Sequence, residues 1–300
     1  MNPASEKNVR LPRWPVLLAG LCVLAGVVAG LELWLPYYRQ EAAIKEIERL
    51  RGRVKIDQAG PQWLRERFGD APMRFFDEVA EVQLPGKDFD DAHVPYLQSM
   101  TKMRVLRLDG TPVSDAGVIY LNRLTELREL RLASTKVTDH GVSVVRGMKL
   151  LKMLDLGDTN VTNAIFLDLV QLSDLRDVRL RQTAVTDAGL AQLKSLRDLE
   201  SLDLDGTQIS DAGLAHLACH PSLERLSLNG TPVTDAGLES LATIPTLLRL
   251  GFSGTQVTDA GLSYLYGLEN LREISLTATQ VTGAGVDELK TRLPGLQIFW

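Results

Sequence analysis

The chain has 300 residues, 45% of them hydrophobic and 24% charged, with a formal charge of −5 at pH 7; these are the proportions of an ordinary folded protein, which sets disorder and low complexity aside. Residues 1–78 hold 12 basic against 10 acidic side chains, and residues 79–300 hold 21 against 28, so the larger part is acidic and lacks the basic footprint of a nucleic-acid binder. Twenty-four glycines beside only seven Phe and four Trp point to aliphatic packing with many turns, and Cys22 and Cys219 fall in unlike segments, so no stabilising disulfide is expected.

Residues 1–13 form a short tail that carries Lys7, Arg10 and Arg13. From Trp14 to Leu31 the chain runs 18 residues without a charge, and the apolar character continues through Leu33, Trp34 and Leu35. At about 1.5 Å per helical residue, that length spans a hydrocarbon core. Trp14 at one end and Trp34, Tyr37 and Tyr38 at the other match the aromatic belts of membrane interfaces. Residues 14–38 are therefore predicted to be a single-pass transmembrane helix in a lipid bilayer, with the N-terminus cytoplasmic and the bulk of the chain on the non-cytoplasmic side. Arg39, Lys45, Arg49, Arg51, Arg53 and Lys55 beyond the run weaken the charge asymmetry behind that orientation. A cleaved signal peptide is the competing reading, with Val27, Val28 and Ala29 before the cut, although the apolar stretch outlasts a signal core. Leu18-Ala19-Gly20 begins like a lipobox, but Leu21 separates it from Cys22. Gly26 and Gly30 form a GxxxG pair that would let two helices approach as a weak homodimer; the plainer account is that glycine is common in membrane helices.

Residues 39–78 are predicted to cap the larger C-terminal part of the chain, through a helix over 41–51, a short strand over 53–56 and a second helix started by Pro61 and stopped by Gly69. Trp63, Phe68, Phe75 and Phe76 are the candidate cap core.

From residue 79 onward the chain repeats itself. Thr111, Thr135, Thr159, Thr183, Thr207, Thr231, Thr255 and Thr279 recur every 24 residues without slippage. The wording around them recurs too: TQISDAGL from Thr207, TPVTDAGL from Thr231 and TQVTDAGL from Thr255, each threonine preceded by LxxLxLxxT, as in Leu199, Leu202, Leu204 and Thr207. This pattern resembles the leucine-rich repeat, with Thr where the general consensus has Asn or Cys. Its VTDAGL half is similar to the variant found in F-box-associated repeat proteins and in many bacterial membrane-anchored repeat proteins. The resemblance covers 79–300 and implies an α/β solenoid: a right-handed curved stack with parallel strands on a concave face and helices on the convex face. It also implies an interaction scaffold, with no partner named.

The residues read the same way unaided. Leu202 and Leu204 alternate with Ser201, Asp203 and Asp205 at period two, which makes a short strand. The Val or Ile two places after the Thr turns inward. The Ser or Thr that comes next caps a helix, and the Asp after it meets the positive end of the helix dipole. Leu214 and Leu217 then give the helical turns one apolar face, which only stacked units can bury. The Thr ladder is expected just inside the coil, each hydroxyl bonded to turn backbone. Counting back places Lys87 in the first ladder slot, with Val79, Val82 and Leu84 as strand positions. Counting forward brings a terminal strand one residue late at Leu296, Ile298, Phe299 and Trp300. The domain is thus nine repeats plus that strand. Asn163, Ile165 and Phe166 replace Asp, Gly and Leu in the fourth Thr-bearing unit, and Gly283 replaces Asp in the last; such turns are expected to be irregular or modified for a contact.

Because every crossover returns on one side, the strand face stays uncovered. Its outward column reads Gln83, Arg107, Arg131, Asp155, Arg179, Asp203, Ser227, Gly251 and Ser275, flanked by Glu129, Asp177, Arg181, Asp205, Arg225 and Asn229. Arg107, Glu129, Arg131, Asp155, Asp177, Arg179, Arg181, Asp203, Asp205 and Arg225 are the candidate partner-binding residues, since arginine is enriched at protein interfaces and pairs with carboxylates. Mutual neutralisation of neighbouring Arg and Asp is the equal alternative. No GxSxG, HExxH, P-loop, GxGxxG, paired CxxC or F-box occurs, so no enzyme, cofactor or metal is expected. His216, Cys219 and His220 fall within one turn, but His220 occupies an apolar slot and no fourth ligand is apparent. The expected role is a membrane-displayed protein-binding module; the runner-up is a structural or glycan-contacting envelope protein, disfavoured by the lack of Tyr and Trp on the concave face.

Overall fold

The computed structural model describes residues 35, 37–84 and 86–300. Of the predicted membrane span 14–38 only Leu35, Tyr37 and Tyr38 are among them; the rest of that span, with the Gly26 and Gly30 pair, lies outside the described residues. Among the described residues no helix is long and apolar enough to cross a membrane.

A single 11-stranded sheet runs in strict chain order. Its strands are β1 Arg53–Asp57, β2 Glu78–Gln83, β3 Val105–Arg107, β4 Glu129–Arg131, β5 Met153–Asp155, β6 Asp177–Arg179, β7 Ser201–Asp203, β8 Arg225–Ser227, β9 Arg249–Gly251, β10 Glu273–Ser275 and β11 Gln297–Phe299. β1 lies antiparallel to β2, and every later pair is parallel with partners 24 residues apart, as in Leu106 with Leu130. The strands are three residues long because the inward Leu must reach the coil interior and the chain must then turn. Leu106, Leu130, Leu154, Val178, Leu202, Leu226, Leu250 and Ile274 stand in one buried file. Beside it run the second strand Leu and the Val or Ile after each Thr, in one continuous aliphatic core. Full burial of each such side chain contributes roughly 1.5–3 kcal/mol, and no single coil could achieve it alone.

Each ladder threonine donates its hydroxyl to the carbonyl three residues back, from Thr111 Oγ1 to Leu108 O at 2.7 Å through Thr279 Oγ1 to Leu276 O at 2.6 Å. The residue just before it is left-handed in all eight coils: glycine at 110, 206, 230 and 254, and Ser134, Asp158, Gln182 and Ala278 elsewhere. The Asp of the DAG motif does more than meet a helix dipole. Its carboxylate accepts from both the backbone N–H and the hydroxyl of the capping Ser or Thr in the next coil, Asp91 from Ser114 and Asp211 from Thr234, for example. The glycine two places after Asp is required by the same contact, since a Cβ at Gly237 would stand 2.6 Å from Asp211 Oδ1.

The chain's departures from the repeat are explained by this clasp. Gly283 replaces Asp where no later coil carries a hydroxyl to hold. Asn163 accepts from Thr186 N at 2.9 Å but donates Nδ2 to Thr186 Oγ1 at 2.8 Å, reversing the polarity, and Thr186 alone among the repeats begun by a Ser-Asp or Thr-Asp pair caps nothing. Ile165 and Phe166 are fully buried, so the altered turn is internal packing and not a contact surface. The terminal strand keeps the common register, Ile274 with Ile298, so the predicted one-residue delay is confined to Leu293 and Leu296, after the ten-residue helix Gly283–Arg292. In the first coil Lys87 is exposed; Phe89 fills the slot held by Val113 in the next coil, and Asp91 supplies the clasp.

The cap differs from expectation in its core. Helix α1 covers 37–49 and buries Ala43, Ile44, Ile47 and Leu50 on one stripe against Val79, Val82 and Leu84. Helix α2, Gln62–Phe68, buries no residue and is held by Arg65, whose guanidinium reaches Ala59 O and Asp77. Trp63, Phe68 and Phe76 are exposed and Phe75 is half-buried, so the aromatic set is not the cap core. The work of covering the sheet's end falls to β1 and the aliphatic stripe of α1.

Candidate functional site

The outward side chains of the strands stay accessible to solvent, and register aligns them in rows. Gln83, Arg107, Arg131, Asp155, Arg179, Asp203, Ser227, Gly251 and Ser275 form one row, and Glu81, Glu129, Asp177, Ser201, Arg225, Arg249 and Glu273 fall in the row two residues earlier. Arg181 and Asp205 lie two residues later. The predicted residues thus share one surface, but they are not equally free.

At the N-terminal end the charges neutralise one another. Arg107 pairs with Glu81 at 3.0 Å and with Glu129 at 2.8 Å, and Arg131 shares that same Glu129 oxygen at 2.7 Å. Burial pushes the Glu129 carboxyl up, yet the hydrogen bonds and charges of Arg107 and Arg131 outweigh it and hold it below the usual range. Arg179 pairs with Asp177 at 3.2 Å and stands 3.8 Å from Asp155, which is buried and accepts from Gly157 N. Arg181 turns off the face to Asp158 at 2.9 Å. Asp205 is structural: it accepts from Asn229 N at 2.8 Å and Asn229 Nδ2 at 3.0 Å.

Toward the C-terminal end a groove of about 320 Å³ opens over Ser227, Gly251 and Ser275, bordered by Arg179, Asp203, Arg225, Arg249 and Glu273. Gly251 deepens it, because a Cβ there would come within 2.8 Å of Ser227 Oγ. Arg225 and Arg249 are directly opposed in register, and like charges so placed repel. Arg249 has Glu273 at 3.4 Å; Arg225 makes no ion pair among the described residues. The Asp203 carboxyl is pushed above the ordinary range by burial and by Asp205 and Asp155, with the Asp205 N–H and Arg181 opposing. Glu81, Arg249 and Glu273 are not among the residues predicted from the sequence. They sit in the strand slot that holds Glu129 and Arg225, so the 24-residue spacing is the signal that could have found them.

His220 is a satisfied core histidine. It is buried, with Nε2 3.1 Å from Leu196 O and Ser222 N donating to Nδ1 at 3.4 Å, and burial lowers its pKa. Among the described residues no group of three or more His, Cys, Asp or Glu could hold a metal ion.

Residues 195–218 and 219–242 match the family model described as "Leucine Rich repeat". Over those two coils the chain is a leucine-rich-repeat protein, and the others reproduce their geometry. None of the curated proteins compared with it matches. Among solved structures, a leucine-rich-repeat protein of Leptospira interrogans is similar at 15% identity and TM-score 0.48, over 69% of this chain and 62% of that one. This chain therefore spans about three fifths of the Leptospira protein. Internalin C2 of Listeria monocytogenes is similar at 25% identity and TM-score 0.48, over 69% of this chain and 83% of that one.

Proposed function

We propose that this leucine-rich-repeat chain is a binding protein, not an enzyme, which holds another protein on the open face of its sheet. In this reading residues 14–38 anchor it in a bilayer with the repeats on the non-cytoplasmic side. The observation that carries the reading is the unequal use of charge along the face. Arg107 and Arg131 are neutralised by Glu81 and Glu129, whereas Arg225 stands unpaired beside Arg249 over a floor of small side chains. An unpaired arginine in a recess offers a partner a charge-assisted contact that breaks no existing ion pair. The contact is thereby shifted toward the C-terminal coils from the Arg107 to Asp205 region that the sequence favours.

The test is proximity labelling from the full chain in its native cells, comparing Arg225→Glu with Arg249→Glu against Arg107→Glu with Arg131→Glu. Loss of specific neighbours in the first pair alone supports the reading. An unchanged set of neighbours in the first pair removes the groove as the site.

A further inference from the structure

We propose that the cap rests on the surface of an anionic lipid bilayer through its exposed aromatic rings and the unpaired arginines beside them. The proposal depends on the reading of residues 14–38 as a membrane anchor.

Six of the fourteen large hydrophobic side chains that are exposed among the described residues fall within 35–76, a segment too short to hold so many by even distribution. Their contacts are continuous. Tyr38 meets Tyr37 at 5.9 Å between ring centroids, Tyr37 meets Phe75 at 5.8 Å, and Phe75 meets Phe76 at 5.4 Å. Phe76 in turn lies against Gly60, at the entry to α2, where Trp63 and Phe68 are 65% and 60% exposed. None of these rings is needed for the cap's own core, which the aliphatic stripe of α1 supplies. Exposed rings concentrated in this way mark a surface that something covers.

Two observations select a lipid surface as the cover. The first is position: α1 begins where the 18-residue uncharged run of the sequence ends, so if that run is in a bilayer, Tyr38 starts at headgroup level, and at about 1.5 Å per residue the rest of α1 leads only some 15–20 Å away from it. Aromatic rings with one polar edge are favoured at that depth. The second is charge. Arg39, Arg67 and Arg74 are exposed and make no ion pair among the described residues, whereas residues 79–300 are net acidic. Basic side chains near an anionic surface are drawn to it, and an acidic solenoid would be held away from the same surface. The cap would thus fix the orientation in which the strand face is presented.

The test uses the full chain reconstituted in phosphatidylcholine vesicles containing phosphatidylglycerol, with brominated lipid as a depth-dependent quencher. Two single-tryptophan chains are compared: one keeps Trp34 as reporter of the anchor, and the other carries Phe76→Trp as reporter of the cap. Tyr38→Trp reads the same face should Phe76→Trp disturb folding. Quenching of the cap reporter by about twofold, as at an interfacial depth, and its reduction by Arg39→Gln, Arg67→Gln and Arg74→Gln together, is the expected result. Quenching at Trp34 with a cap reporter open to aqueous acrylamide overturns the proposal and leaves the anchor standing. A cap reporter shielded from both quenchers is covered by protein, a second copy included, and also overturns it. Failure at both reporters overturns the anchor and the proposal together.

Discussion

Asp115 and Thr138 are 23 residues apart in sequence and joined twice: Asp115 Oδ1 accepts from Thr138 N at 2.8 Å and Oδ2 from Thr138 Oγ1 at 2.6 Å. Thr138 Oγ1 in turn accepts from His140 N, so one hydroxyl caps its own helix while tying it to the coil before. Removing such a clasp, as in Asp211→Ala, leaves the Thr234 N–H and hydroxyl without their partner. A loss of about 2–3 kcal/mol is expected, read as a lower denaturation midpoint by circular dichroism. Gly283→Asp, in the coil with nothing after it, is expected to cause no loss. Equal effects at the two positions would refute the clasp as the reason for the motif.

Asn163→Asp is expected to stabilise the protein. The carboxylate would accept from the Thr186 hydroxyl instead of donating to it, which frees that oxygen to cap the helix Asp187–Leu190, now uncapped. The gain should be about 0.5–1.5 kcal/mol. It should grow with added salt, because Asp139 and Asp187 occupy the same slot one coil to either side and their repulsion is then screened. A destabilised variant at every ionic strength would contradict this account.

The left-handed residue before each ladder threonine supplies a backbone test free of packing. Gly254 has φ +70 and no atom closer than 3.8 Å to the place of a Cβ. Gly254→Ala should therefore cost about 1–2 kcal/mol through conformation alone. Ala278, at φ 57, offers the reverse experiment, and Ala278→Gly should be neutral or gain up to about 1 kcal/mol. Thermal melts of the two variants should move in opposite directions or differ clearly in size.

Asp203 supplies a pH test. Its pKa is raised in the folded chain, first by burial and then by Asp205 and Asp155. The folded state therefore holds that proton more tightly than the unfolded state. The resulting stabilisation is complete below the ordinary aspartate pKa and is lost as pH rises through the raised folded value. Asp203→Asn keeps an oxygen for the Asp205 N–H and should be more stable than the parent at pH 7, with the difference closing on acidification. A constant difference across pH would place its cause elsewhere.

The 24-residue threonine period and the LxxLxL spacing determined the coil, the order of the strands and the inward side chains, because burial periodicity is a local property that each unit declares. The ladder threonines and the rows of outward residues come by counting. What the sequence left open concerns contacts between coils or at the ends. Asp115 reads as a helix-start residue, since its true partner, Thr138, is 23 residues away; the aromatic residues of 63–76 read as a core, since aromatic character does not tell which face a ring will take. Arg107 and Arg225 look alike in the chain. Only the stacked sheet, which puts Glu81 and Glu129 beside one and Arg249 beside the other, decides which charge is neutralised and which is left for a partner.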